Sequence, residues 1–325
     1  MFLSAKPLIF LMIFTSCLAL AVDEFPSWIE KNTLHASKVL KMNANLVVAK
    51  DGSGDYVTVK EAVGAAPENS PKRFIIYIKQ GVYSEIVEIG VTKTNITFVG
   101  DGQDSTILTG SLNKKDGVKT FSSATVAVNG DGFVAQDLCF QKTAGPSKSQ
   151  AVALRVSAER AVIYRCRIDG YQDTLYAFSG SQLYRESYIT GTVDFIFGHA
   201  SAVFQYCQIV ARKPDQGQSN MSTVKTYLGR PWGVMSTVVV MESFIDDHID
   251  PAGWYPWDIG KEPSPSIYYG EFDNYGPGAN TSERVTWKGF RAIQDPKEAE
   301  RFTVGQLIHG ELWLNTTGVP YETGL

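Results

Sequence analysis

Five segments in the middle of the chain repeat one pattern. A few apolar residues are followed by a polar pair or near-pair and then a small Cys or Ser, in most copies with Ile two residues later. The copies run over 133–139, 161–168, 182–189, 202–209 and 238–245. Their small residues, Cys139, Cys166, Ser187, Cys207 and Ser243, are separated by 27, 21, 20 and 36 positions. A period of about 20–27 residues in a strand-rich, helix-poor stretch is the signature of a solenoid: one coil cannot bury its own apolar face and must stack on its neighbours. Asp-Gly turns at Asp101-Gly102, Asp116-Gly117, Asp131-Gly132 and Asp169-Gly170 would alone suggest hairpins. The period argues for stacked coils instead. The repeated Cys and Ser then read as a column of small inward residues, ahead of any disulfide or thiol chemistry.

The ends differ from the repeat, as an exposed solenoid edge requires. Thr58-Val-Lys-Glu61 is a capping box opening a short helix through Ala66, and Asp295-Pro-Lys-Glu298 and Thr303-Val-Gly-Gln306 open two more. At the start, Lys6 precedes an apolar run ending in Ala19-Leu-Ala21. A basic start, a short apolar middle and a small-residue exit describe a signal peptide over 1–21, too short for a spanning helix. Residues 22–44 read as an arm or linker, and 45–325 as the solenoid domain. With 30 basic against 34 acidic side chains, no field favours nucleic acid or a membrane surface. Beyond Cys17 only three cysteines remain, without C-x-x-C spacing, so neither a disulfide framework nor a metal cluster is expected. Sequons at Asn95, Asn220, Asn280 and Asn315 fit a secreted glycoprotein.

Polar residues interrupt the strands at nearly the coil period. Gln150 and Gln172 are 22 residues apart, and Asp173 and Asp194 are 21 apart. If one repeat is one coil, these side chains rise in columns with neighbours roughly 4.8 Å apart. Two close carboxylates beside Tyr171, Phe195 and Phe197 cannot both ionise freely, which suits a division into acid and nucleophile. Two amides beside them could donate to an oxyanion. An internal polar ladder explains the same spacing equally well. Other catalytic plans are missing from the sequence: no G-x-S-x-G, no H-E-x-x-H and no P-loop. His35, His199, His248 and His309 sit in unrelated contexts and read as ordinary residues.

Gly81-Val-Tyr-Ser-Glu85, Gln150-Ala-Val-Ala-Leu154, Tyr171-Gln-Asp-Thr-Leu175, Gly191-Thr-Val-Asp-Phe-Ile-Phe-Gly198 and Leu228-Gly-Arg-Pro-Trp232 resemble, in order, the signature motifs of plant pectin methylesterases. The resemblance runs from about Asn45 to Leu325. It implies an all-β fold, a right-handed parallel β-helix, acting as a monomer on methyl-esterified homogalacturonan in the cell wall. It implies Asp194 as nucleophile, Asp173 as acid/base, Gln150 and Gln172 as the oxyanion site, and Arg230 as holder of Asp194 and substrate. Trp232 would stack on a sugar ring and Thr120 would touch substrate, with Trp254 and Phe195 as further cleft aromatics. No cofactor or metal is implied, and proteinaceous pectin methylesterase inhibitors are possible partners.

Three departures from the family pattern carry expectations of their own. Asp194 and Arg230 are only 36 residues apart, about one coil short. The shortening is expected to drop Arg230 and Trp232 by roughly 4.8 Å toward Asp194 and so to impair activity, since about 1 Å of misplacement can cost on the order of 100-fold in rate. Ser187 stands where many relatives have a cysteine able to pair with the one matching Cys207, so no such disulfide is expected. Phe25-Pro-Ser-Trp28 resembles a linker after an inhibitor-like pro-domain, yet no pro-domain precedes it, and inhibition in cis is not expected. The competing functions are a catalytically impaired pectin-binding solenoid and a pectin-cleaving β-helix glycosidase or lyase, although the carboxylate sets of the latter lack the two glutamines.

Overall fold

The computed structural model describes residues 9–13, 37–212 and 225–325, the first of these as backbone. The repeat closes into a parallel β-helix whose coils contribute strands to three sheets, of eleven, six and five strands. Three successive coils show the principle. Leu154 pairs with Leu175 and Leu175 with Ile196 in the third sheet. Ile163, Tyr184 and Phe204 align in the long sheet, and Ile168, Ile189 and Ile209 in the second. The Asp-Gly dipeptides therefore turn between parallel strands and make no hairpins.

The inward residues form columns because register repeats from coil to coil. Tyr184 and Phe204 stack with ring centroids 4.6 Å apart, and the Tyr184 hydroxyl donates to Gln182 at 2.7 Å. Phe98, Phe133, Phe140, Ile163 and Leu175 share the same buried cluster. Each such side chain contributes about 1.5–3 kcal/mol on burial, and stacking makes that contribution continuous along the axis.

The polar pair in each repeat marks a corner. Asp137, Arg165, Glu186, Tyr206 and Glu242 all have φ between 48° and 58°, left-handed geometry that costs a non-glycine residue about 1–2 kcal/mol. At the first four the corner swings the chain from the long sheet into the second, and at all five it turns the next side chain inward. At four corners that side chain is Cys166, Ser187, Cys207 or Ser243. At the first it is Leu138, since Arg167 N–H donates to the Leu138 carbonyl and Cys139 pairs with Arg167. The sequence alignment was one residue out there, because Cys139 mimics the small residue that follows the other corners. Cys139, Cys166 and Cys207 are buried and free, and Ser187 hydrogen-bonds Arg185 and Ile163 carbonyls.

Thr58 caps the helix Val59–Ala65 as its sequence requires, accepting from Glu61 N–H, and the buried face Val59, Ala62 and Val63 closes one end of the core. The arm is tied down over 37–42 by a helical turn, with Ser37 donating to Asp137 and Lys41 to Asp101. The C-terminal helices Pro296–Glu300 and Val304–Leu307 do not sit on the end of the stack. They pack along the outer face of the long sheet, where Phe302, Val304, Ile308 and Leu314 join Val162, Leu183, Val203, Val239 and Met241 in one apolar cluster. The capping signals specified where these helices begin but not which face of the solenoid they cover.

Among the described residues, one coil is reduced to a single strand. The long sheet runs from Ser201–Gln205 through Ile9–Ile13 to Thr237–Met241. At that level the second sheet has already ended at Gln208–Ala211 and the third at Ile196–Gly198. Most of the expected leader, with Cys17, and the sequon at Asn220 lie outside the described residues.

Candidate active site

Asp173 and Asp194 occupy equivalent corners one coil apart. Each precedes its strand by two residues, and the strands pair Leu175 to Ile196. The Asp173 N–H donates to Val193 O at 3.1 Å, and the Leu175 N–H to Phe195 O at 2.9 Å. Both aspartates are left-handed, with φ of 61° and 49°, the kind of local strain that collects at functional sites. Gly198 ends the second motif at φ 137°, where an added Cβ would lie 1.7 Å from the Ala177 carbonyl oxygen, so only glycine fits.

The two glutamines reach one level through a bulge. Ala153 and Leu154 N–H groups both donate to the Thr174 carbonyl, at 2.8 and 3.3 Å, and Ala151 N–H then donates to Gln172 O. Two residues oppose one, so the offset between coils changes from the 21 of Leu154 and Leu175 to 22, and Gln150 comes level with Gln172. The Gln150 amide oxygen accepts from Ser149 Oγ at 2.6 Å, which turns its nitrogen, the donor end, elsewhere. Both side chains are half-buried.

Burial raises the Asp173 carboxyl to about 7, with the Asp194 charge adding to the rise and Arg230 and Lys114 opposing it. Asp173 is therefore largely protonated in mildly acidic solution. Asp194 is gripped on the other side by Arg230, whose Nε and Nη2 donate to the two carboxylate oxygens at 2.9 and 2.5 Å. Such a fork-to-carboxylate pair fixes orientation as well as charge. The guanidinium lies 4.1 Å from the Trp257 ring centroid, and the exposed Trp232 ring stands 4.9 Å from His199 and 6.3 Å from Trp257.

Arg230 has not dropped by a coil, contrary to the expectation from the shortened link. Its segment is held from the C-terminal side: Leu228 N–H donates to Gly253 O, Tyr255 N–H to Gly229 O, and Gly229 bridges Trp254. Trp254 in turn is anchored by its indole N–H to Glu271, which is paired with the buried Arg284. Between the strands Ser201–Gln205 and Thr237–Met241 of the long sheet stands Ile9–Ile13, so those downstream coils lie two strand spacings from the coil of Asp194. The same network corrects the assignment of Trp254, which is a core residue at 1% exposure and no part of a cleft. Phe195 packs against the core.

Thr120 begins a single turn, Thr120–Ser122, on the outer face of the third sheet. Its neighbour Phe121 meets Tyr176 and Phe178 edge-on, and Tyr176 stacks on Phe197 at 4.1 Å. A row of rings thus leads toward the aspartates. The sequence reading missed Trp257 and, beyond Phe197, this row; the Trp254-Tyr-Pro-Trp257 spacing held the signal, but nothing in it says which tryptophan faces out.

The Pectinesterase family model matches residues 45–225 and 217–311. The chain belongs to the pectinesterase family. Pectinesterase/pectinesterase inhibitor 18 of Arabidopsis thaliana is 56% identical over 93% of this chain and 61% of its own length. Pectinesterase 3 of Solanum lycopersicum is 51% identical over 94% and 62%. This pectinesterase-family chain thus spans about three fifths of the length of the curated relatives it matches. Pectin methylesterase from carrot superposes with a TM-score of 0.83 at 48% identity, covering 87% of this chain and 98% of the carrot chain. The Aspergillus niger enzyme gives 0.69 at 29% identity. The two pieces of the family match meet at 217–225, where the link is short. The Arabidopsis alignment runs over 339 residues, more than this chain's 325, so the relative carries residues that this chain lacks.

Proposed function

We propose that this chain is a pectin methylesterase, hydrolysing galacturonate methyl esters of homogalacturonan to free carboxylate and methanol. The observation that carries the reading is the unequal pair: a buried, proton-retaining Asp173 beside an Asp194 carboxylate oriented by Arg230. Asp194 attacks the ester carbonyl carbon, and the Gln150 and Gln172 amides donate to the oxyanion that forms. Asp173 passes its proton to the departing methoxide, giving methanol and an acyl-enzyme anhydride on Asp194. The Asp173 carboxylate then takes a proton from water as the water attacks the acyl carbon, which releases the product acid and regenerates both groups. Trp232, with Trp257, gives sugar rings a flat surface, and Thr120 lies at the far end of the aromatic row.

A solved pectin methylesterase 26% identical to this chain is described in complex with a hexasaccharide, which supports a pectin oligosaccharide as ligand. Relatives named for both pectinesterase and inhibitor support inhibitor proteins as partners. Residues 1–21 as a leader and the cell wall as destination complete the reading. No helix among the described residues is long and apolar enough to cross a membrane. Asn280 and Asn315 are exposed and suit glycosylation, while the amide nitrogens of Asn315 and Asn95 donate to the Glu311 and Ser70 carbonyls. A non-catalytic pectin-binding solenoid was motivated by a displaced arginine, and the Arg230–Asp194 contact removes that motive. Methanol release from esterified pectin, abolished by Asp194→Asn with pectin binding retained, is the expected result. Equal release by the variant would overturn the assignment, and falling viscosity without methanol would point to chain cleavage.

A further inference from the structure

Among the described residues, the solenoid has one level at which the long sheet alone continues. Ile9–Ile13 occupies it, in parallel register with Ser201–Gln205 over five residues on one side. On the other side Leu11 and Met12 pair with Val239 and Val240. This is the apolar run that reads as a leader in the sequence.

The slot has walls of its own. Inward, Phe204, Val238 and Val240 belong to the main core. Outward, Val203, Val239 and Met241 are covered by the C-terminal helical layer. That layer spans the slot: Gln205 exchanges hydrogen bonds with the Glu322 backbone on one side, and Tyr268 donates to Glu298 on the other. The two flanking strands are thus held two strand spacings apart, roughly 9.6 Å, with apolar surface above and below. Their facing N–H and C=O groups have little access to water, and each left unpaired in such a place carries its desolvation penalty. An extended backbone satisfies them; bulk water does not.

We propose that the gap between Ser201–Gln205 and Thr237–Met241 is a strand-acceptor site, and that Ile9–Ile13 of the same chain fills it whenever the N-terminus is uncleaved. Ile9–Ile13 supplies one parallel strand to the long sheet. Removal after Ala21 would vacate the site, so leader processing and completion of the long sheet exclude one another in a single molecule.

The test uses the full chain made without translocation, its N-terminus verified intact by mass. Leu11 pairs on both sides, and proline there removes a ladder N–H and does not fit a central strand. Leu11→Pro is expected to speed amide exchange in Ser201–Gln205 and Thr237–Met241 by at least about tenfold. Exchange in Leu154–Val156, several coils away, should not change, and Leu11→Val should behave as wild type. A lysine-tagged peptide with the sequence of residues 7–15, added to the proline variant, is expected to restore protection. Unchanged exchange in both flanking strands on Leu11→Pro, or a peptide that restores nothing, would overturn the proposal. These readouts are independent of methanol release, so they stand apart from the enzymatic reading.

Discussion

Replacing Asp173 by Asn should abolish turnover while making the fold more resistant to denaturation at neutral and alkaline pH. Burial next to Asp194 lifts this carboxyl from 3.8 to about 7. In the unfolded chain Asp173 gives up its proton near the ordinary value, whereas the folded chain retains it until about 7. The folded state therefore binds the extra proton across that interval. Its stability falls as pH rises from about 4 to 7, and above about 7 the whole loss is present. At about 1.4 kcal/mol per pH unit the rise corresponds to at most about 4 kcal/mol. Relaxation around an ionised Asp173 lowers that ceiling, so a gain of about 2 kcal/mol is expected in practice. The substituted amide cannot ionise and escapes the loss, while preserving shape and one hydrogen-bond acceptor. Urea midpoints for wild type and Asp173→Asn should nearly coincide at about pH 4 and diverge progressively toward about pH 8. Parallel curves, or a variant that loses ground to wild type as pH rises over this range, would refute the argument that Asp173 is held protonated by the fold.

The same ionisation predicts that the leaving-group step weakens as pH climbs through about 7, visible as a falling kcat limb that any replacement of Asp173 removes with the activity. Arg230→Lys keeps the charge but loses the two-point grip on Asp194, and a drop in kcat/KM of roughly 10- to 100-fold is expected; a near-wild-type value would mean that orientation of Asp194 does not depend on the fork. Trp232→Ala removes an exposed ring and should raise KM several-fold with little change in kcat, the pattern of lost uniform binding; a kcat effect alone would contradict the stacking role. Glu271→Ala strands Arg284 and the Trp254 indole in the core, and breaking a buried pair this way costs about 3–5 kcal/mol. A thermal midpoint indistinguishable from that of wild type would count against that network as the anchor of the Arg230 segment.

The solenoid and its aspartate pair were legible in the sequence for one physical reason. Stacking converts distance along the chain into distance in space, so a 21-residue interval becomes one strand spacing. The glutamine interval of 22 was legible too, although its cause was not: it depends on a bulge at Ala153 and Leu154 that only the hydrogen bonds reveal. Where register is set by a corner instead of by composition, the reading slipped, as at Cys139. The side chains that face the cleft were harder still. Trp254 and Trp257 sit three residues apart in one loop, and tertiary partners alone, Glu271 for one and Arg230 for the other, decide which is core and which is surface.

The shortened link tested the stacking argument where it is weakest. Nearest-neighbour contacts let a solenoid lose a coil, and from that alone the coils downstream of the loss should settle onto those upstream. Two features stop the collapse, and neither belongs to the repeat. The C-terminal helices bind both sides of the gap to one apolar layer, and the Arg230 segment takes its height from Gly253 and Trp254 downstream, independently of the coil that disappeared. An arginine held from the far side of a shortened link can keep its place beside Asp194. Its contact with Asp194 then depends on the spacing of the long sheet, which is the spacing that an inserted strand at residues 9–13 preserves.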